Sequence, residues 1–138
     1  GWRIIAPSNA FDYIGLFNSS MISLDPVLII EHHALYDMTS PIPSGNLDYF
    51  VELGKAKPVA EGSDVTLITY SNLVPRCENL LSQWAEENIS VELIDFRSLD
   101  YPSIDYHLIG ESVKKTGAVV IVEEYRIVNM MPEPYLWI

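Results

Sequence analysis

The chain has 138 residues, about half of them apolar and a fifth charged, with a formal net charge of −11. That balance argues for a globular chain, one ordinary domain or pieces of two, and against disorder. Nineteen acids against eight bases make a surface that repels phosphate backbones and anionic lipid, so neither nucleic acid nor a membrane is expected as a partner. No apolar run approaches the ~18 residues needed to cross a bilayer, and the N-terminus does not read as a signal peptide. The single cysteine, Cys77, excludes an internal disulfide and a Cys-based zinc site. The expected compartment is the cytosol, or the mitochondrial matrix for a eukaryotic chain.

In chain order, Trp2 to Ala6 reads as a strand. Pro7-Ser8-Asn9 then supplies a turn and an N-cap side chain able to accept an orphan backbone N–H. Phe11, Ile14, Phe17 and Met21 recur at helical spacing and predict one apolar stripe. Gly15 inside that stripe costs up to about 1 kcal/mol against alanine, which points to a close backbone approach. Leu24-Asp25-Pro26 ends the helix, and Val27 to Ile30 predicts a buried strand. This partial β-α-β unit, residues 1–33, reads as the tail of a domain.

From 34 to 52 the periodicity is lost, and Pro41 and Pro43 sit among Ser, Thr, Asp, Asn and Gly, the pattern of a linker. Pro58 predicts an edge strand because it cannot donate to a ladder. Val65–Tyr70, Val91–Phe96 and Ala118–Val122 are short apolar strands separated by helical patterns, which argues for parallel strands joined by right-handed crossovers. The first of these helices carries Ser71 or Asn72 as cap, Pro75 near its first turn and a stripe of Val74, Cys77, Leu80, Leu81 and Trp84. The second is predicted over about 104–115, with Pro102 near its start, Lys114 and Lys115 in its last turn and Gly117 beyond.

Chemistry-bearing residues are few. His32 and His33 are adjacent and, on a strand, point to opposite faces, and His107 stands alone on a helix, so no metal-ligand spacing emerges. Cys77 lies on an apolar stripe and reads as a small buried hydrophobe. Glu31, Glu123 and Glu124 stand at the carboxyl ends of strands, where α/β folds place ligand groups. Gly62-Ser63-Asp64 precedes a strand rather than linking strand to helix, and takes no phosphate role.

A set of phrases resembles the beta subunit of thiamine diphosphate-dependent 2-oxo acid dehydrogenases, of the pyruvate and branched-chain types. They are Pro7–Asp12, Asp25-Pro26-Val27 leading to Glu31-His32, Leu35-Tyr36, Leu53–Lys57, Glu61–Thr66, Ile94–Leu99 and Glu111–Gly117. The resemblance covers residues 2–124 and implies the end of a pyrimidine-binding domain (1–33), a linker (34–52) and an incomplete transketolase C-terminal-like domain (53–138). The implied fold is three-layer α/β, a mostly parallel sheet with flanking helices. The implied parent reaction is oxidative decarboxylation of a 2-oxo acid, with acyl transfer to lipoyl.

The resemblance also implies partners: an alpha subunit, a second beta subunit and a lipoyl acyltransferase. It implies thiamine diphosphate and magnesium in the parent complex and none on this chain alone, because the family's activating glutamate and active-site histidine match no position here. No catalytic or cofactor-binding residue is therefore assigned. A monovalent-cation site is implied at Ser20, Ser23 and Asp25, with Ser23 standing where the family commonly has an acid. Two other readings stay open: a transketolase or 1-deoxyxylulose-5-phosphate synthase relative, and a non-catalytic interaction module. For the last, Leu136, Trp137 and Ile138 would be a partner surface. Residues 125–138 depart from the family, as in a truncated or frame-shifted product.

Overall fold

The computed structural model describes residues 1–124; the divergent tail and its expected partner surface lie outside the described residues. The elements are β1 (Arg3–Ile5), α1 (Ala10–Met21), β2 (Val27–Ile29), β3 (Lys57–Ala60), β4 (Val65–Thr69), α2 (Leu73–Glu78), α3 (Leu81–Glu86), β5 (Val91–Asp95), α4 (Tyr106–Thr116) and β6 (Val119–Ile121). Short 3-10 turns cover His33–Leu35 and Tyr101–Ser103. Among the described residues, β1 and β2 pair in parallel, and the other strands form a four-stranded sheet in the order β3-β5-β4-β6.

In that larger sheet β4 pairs in parallel with β5 and β6, and β3 is an antiparallel edge. Pro58 sits on this edge, and the register shifts between Pro58 and Ala60. Here the missing N–H is harmless. The crossovers run in opposite directions, β4 to β5 and then β5 back past β4 to β6, and with the usual right hand this places their helices on opposite faces. The result is a three-layer α/β sandwich, as the resemblance implied.

Alternation along the strands serves the two faces. Leu67, Val91 and Leu93 form an apolar cluster with Cys77, backed by Leu81 and Trp84 of α3. The intervening positions meet α4 through hydroxyls instead. Thr66 Oγ1 lies 2.7 Å from Ser112 Oγ, which donates to Glu92 Oε2 at 2.6 Å. Lys115 Nζ donates to Glu92 Oε1 at 2.7 Å. The phrase Glu111–Gly117 thus contains the groups that dock α4 on the sheet.

Several expectations are corrected. The helix after Tyr70 is two short ones, α2 and α3, and Leu80 between them is exposed, off the expected stripe. Asn72 occupies the cap position but makes no side-chain capping bond. The second crossover helix starts at Tyr106 rather than near Ile104, because the Asp105 carboxylate accepts the Leu108 N–H and caps it; Pro102 falls in the preceding 3-10 turn. Gly117 closes that helix in the left-handed region, at φ 72°.

The larger corrections concern the first unit. The inner face of α1 is Asp12, Gly15, Leu16 and Ser19, not the predicted stripe; Phe17 and Met21 are exposed. Phe11 stacks on Tyr49, with ring centroids 4.7 Å apart. The run Val27 to Ile30 is not buried either, with Leu28 of β2 and Ile30 just beyond it exposed. The helix is rotated because other bonds set its seat. Residues 47–51 run along it: Asn18 Nδ2 donates to Leu47 O and Tyr49 O, Ser19 Oγ donates to Val51 O, and Val51 N donates to Gly15 O. A Cβ on Gly15 would lie 2.4 Å from Val51 Cγ2, the close approach that the glycine signalled.

Candidate functional site

The site is built at the joint between the two sheets. Ala6 N donates to Arg97 O, and Leu99 N to Ile4 O, each at 2.8 Å, around an antiparallel bridge between Ile5 and Ser98. Ile4 N donates to Asp100 Oδ1 at 2.9 Å. The segment 96–100 therefore acts as a clasp on β1.

Beneath the clasp lies a buried polar network. Asn9 caps α1 by accepting Asp12 N, and its Nδ2 donates to Asp12 Oδ2 at 2.7 Å. Asp12 is fully buried and pairs with the Arg97 guanidinium through Nη2, with Lys57 Nζ 3.9 Å away. Asp95 accepts Ser8 Oγ at 2.5 Å and Arg97 N at 3.1 Å. Burial pushes the Asp95 carboxyl up to about 6, against the pull of the Ser8 hydrogen bond. Arg97 reaches both acids from a left-handed backbone, φ 55°.

Two cavities open above this network, at the carboxyl ends of the strands. The larger, about 580 Å³, runs between α1, the turn after β2 and α2, and is lined by Ser8, Asn9, Tyr13, Glu31, His32 and Tyr36 among others. The smaller, about 180 Å³, shares Glu31 and His32 and adds Tyr70, Ser71, Asn72 and Glu124. Hydrogen bonding from Tyr36, then from Tyr13, holds the Glu31 carboxyl below its ordinary range. His32 Nε2 lies 2.9 Å from Glu124 Oε2, and its Nδ1 accepts Ala34 N at 3.2 Å. Such a crevice can seat a small organic molecule against one tyrosine-bonded carboxylate and one imidazole–carboxylate pair.

The residues singled out from sequence divide accordingly. Glu31, His32 and Glu124 come together here. His32 and His33 do not oppose one another: β2 has already ended, and their rings stack at 4.9 Å. His107 lies exposed on α4. Cys77 is buried in the core cluster, and burial pushes its thiol up, away from reactivity. Among the described residues no group of three or more His, Cys, Asp or Glu could hold a metal ion.

Ser20 lies in the last turn of α1, and Ser23 and Asp25 in the turn from α1 to β2. Ser20 Oγ donates to Leu16 O at 2.7 Å, and Ser23 Oγ accepts Asp25 N at 3.2 Å. Sequence reasoning missed Asp12, Asp95 and Arg97, although acids inside the strand run Val91–Phe96 were a signal, since a buried acid requires a partner.

Comparison with known proteins agrees with this geometry. The family model described as transketolase, C-terminal domain, matches residues 54–133. The chain is 34% identical over 124 residues to the beta subunit of acetoin:2,6-dichlorophenolindophenol oxidoreductase of Cupriavidus necator, covering 90% of this chain and 36% of that protein. It is 38% identical over 126 residues to the mitochondrial pyruvate dehydrogenase E1 component subunit beta-1 of Arabidopsis thaliana, covering 90% and 34%. To the pyruvate dehydrogenase E1 beta subunit of Staphylococcus aureus it is 36% identical over 125 residues, covering 90% and 37%. The chain thus spans about a third of the length of these relatives.

Among solved structures, a split-gene transketolase in the form of an inactive beta4 tetramer superposes with a TM-score of 0.74 at 25% identity, over 92% of this chain and 40% of that one. A transketolase of Pichia stipitis shares the fold, with a TM-score of 0.64 at 11% identity, over 93% and 19%. The resemblance to 2-oxo acid dehydrogenase beta subunits read from the motifs is borne out. With more than half of its length matched by the family model, the chain belongs to the transketolase C-terminal domain family.

Proposed function

We propose that the chain works as part of the beta subunit of a thiamine diphosphate-dependent 2-oxo acid dehydrogenase, where it positions and assembles rather than reacts. The parent reaction in this reading is oxidative decarboxylation of pyruvate or a branched-chain 2-oxo acid, with acyl transfer to lipoyl. One observation carries it. Similarity to the beta subunits covers 90% of the chain, whereas the C-terminal family model begins only at residue 54. The β1-α1-β2 unit and the joint are therefore shared with those subunits as well as the larger sheet.

The reading keeps 1–33, 34–52 and 53–138 as pyrimidine-domain end, linker and C-terminal-like domain. Its partners are an alpha subunit, a second beta subunit and a lipoyl acyltransferase. Its compartment is the cytoplasm or the mitochondrial matrix. Among the described residues no helix is long and apolar enough to cross a membrane.

Thiamine diphosphate with magnesium would need a divalent-ion donor set, and the described residues offer none. The buried acids Asp12 and Asp95 are already bonded to Arg97 and Ser8. The residues present do not fit that group, and the chain's part is positional.

The test is an assay of the purified chain for decarboxylation of pyruvate and of a branched-chain 2-oxo acid, followed by co-purification with an alpha-type subunit. No turnover by the chain alone and stable co-purification are expected. Measurable decarboxylation by the chain alone overturns the reading. The likeness to the split-gene transketolase supports a second reading, as a transketolase or 1-deoxyxylulose-5-phosphate synthase relative. Ketol transfer between sugar phosphates by the reconstituted complex, without 2-oxo acid oxidation, would select it. That structure's beta4 assembly also suits a non-catalytic module that self-associates, against which a monomer across a wide concentration range in sedimentation would count.

Ser20, Ser23 and Asp25 enter this reading as a monovalent-cation site, supported by their closeness in sequence across the end of α1 and the turn after it. Potassium is then expected to raise the melting temperature by a few degrees more than an equal concentration of tetramethylammonium. Equal melting temperatures in the two salts would remove the site.

A further inference from the structure

His32 lines both cavities and ties the end of one sheet to the end of the other. It follows β2, and its Nε2 lies 2.9 Å from Glu124 Oε2, just beyond β6. The same ring caps the next turn. Its Nδ1 accepts the Ala34 N–H at 3.2 Å, where the 3-10 turn His33–Leu35 begins. A ring nitrogen that accepts a backbone N–H carries no proton, so the ring hydrogen sits on Nε2 and points at the carboxylate.

The turn so capped is part of a wall. Leu35, Tyr36 and Met38 line the larger cavity, and the Tyr36 hydroxyl donates to Glu31 Oε2 at 2.7 Å.

A second proton on the ring changes one of its two bonds and keeps the other. Nε2–H goes on donating to Glu124, now as a charge-assisted bond. Nδ1 becomes a donor, so the Ala34 N–H loses its acceptor and faces another N–H. Around the ring stand Glu124 after β6, Tyr70 after β4, Tyr13 of α1 and Glu78 of α2, with Glu31, His33 and Tyr36 from its own segment. Glu124 meets Nε2 and so leaves Nδ1 to the turn. His33 is a second imidazole, stacked at 4.9 Å, and the test has to separate the two.

We propose that His32 is a proton-operated latch. Its neutral ring caps the turn His33–Leu35 while tied to Glu124; its protonated ring stays on Glu124 but releases the turn, which loosens the wall of the larger cavity. The latch rests on these bonds and does not depend on the dehydrogenase reading.

The test follows the full 138-residue chain by amide hydrogen exchange and by ring nitrogen chemical shifts. The pH is lowered from about 8 to about 5, the span in which imidazoles take up their second proton. At the upper end the shifts are expected to show the proton of His32 on Nε2. As that ring titrates, protection of the Ala34 amide is expected to fall about tenfold, the size of a lost cap. The Thr66 amide, bonded to Ala118 O inside the larger sheet, is expected not to fall with it. His32→Asn offers a carbonyl oxygen as cap and does not titrate, so it is expected to keep Ala34 protected at both ends. His33→Gln removes the neighbouring imidazole and is expected to leave the tenfold fall in place. A proton on Nδ1 at the upper end overturns the proposal. So does Ala34 protection that is independent of pH, or a fall that Thr66 shares, that persists in His32→Asn or that disappears in His33→Gln.

Discussion

Arg97→Ala is expected to lower the free energy of unfolding by about 3–5 kcal/mol, measured by urea denaturation at neutral pH. The loss exceeds that of an ordinary surface ion pair because of where the partner sits. Asp12 has no exposed surface, and without the guanidinium its carboxylate keeps, among the described residues, only Asn9 and a lysine amine 3.9 Å away. An uncompensated buried charge, rather than the lost bond itself, dominates the cost. The pair Lys114–Glu111 is the control, since both ends remain in water and its removal changes little.

A paired replacement, Asp12→Leu with Arg97→Met, separates two explanations. If desolvated charge is the cause, the pair should recover most of the loss, because neither position 12 nor position 97 then leaves an unpaired charge buried. A loss below about 1 kcal/mol in Arg97→Ala would show that the joint tolerates the missing pair. The consequence reaches the crevice, since Ser8 and Asn9 belong both to the network and to the wall of the larger cavity.

The second large effect is a pH dependence with an unusual sign. Burial raises the Asp95 carboxyl from 3.8 to about 6. Between those values the folded chain holds a proton at Asp95 that the unfolded chain has released, so stability falls as pH rises through this window. The contribution is complete below about pH 4 and gone above about pH 6, and amounts to roughly 3 kcal/mol by linkage. Other carboxylates act in the opposite sense. Glu31 and Glu111 are held low by hydrogen bonds from Tyr36 and Lys114, and they lose stability as pH falls.

The Asp95 effect is therefore read as a difference. Asp95→Asn removes the titration, keeps an amide oxygen for the Arg97 N–H and leaves the Ser8 hydroxyl free to accept instead. The stability of the variant relative to the parent should rise across that window by roughly 3 kcal/mol and then level off. Parallel curves for parent and variant would mean that Asp95 does not titrate there.

Most of the larger sheet was legible from the chain because its central strands, β4 and β5, are short apolar runs buried on both faces. Val65–Thr69 and Val91–Asp95 are close to the runs read directly, and Pro58 marked the edge. Local chemistry placed the caps where one side chain decides the outcome, as at Asn9 and Gly117. Gly15 announced a close approach, but not that Val51 was its partner. The break between α2 and α3 was not legible, since a helical stripe continues through Leu80 in sequence while the chain turns there.

The candidate site was half visible. Glu31, His32 and Glu124 could be named because strand ends are a positional feature of the chain. Asp12 and Arg97 could not be paired, being 85 residues apart. Nothing in a linear pattern weighs a buried ion pair against an apolar stripe, and in α1 the pair and the bonds from residues 47–51 won. Hence Phe17 and Met21 face outward.

By itself the sequence determined the β-α alternation, the edge strand, the acidic surface and the motif set that assigns the family, all of them local or compositional properties. Tertiary structure alone decided which face of α1 is buried, how the clasp at 96–100 joins the two sheets, and that Asp12 meets Arg97 beneath it. These depend on burial and on contacts between distant segments. The strength of a charge or a hydrogen bond is set by how much water its surroundings exclude, which only the folded chain defines.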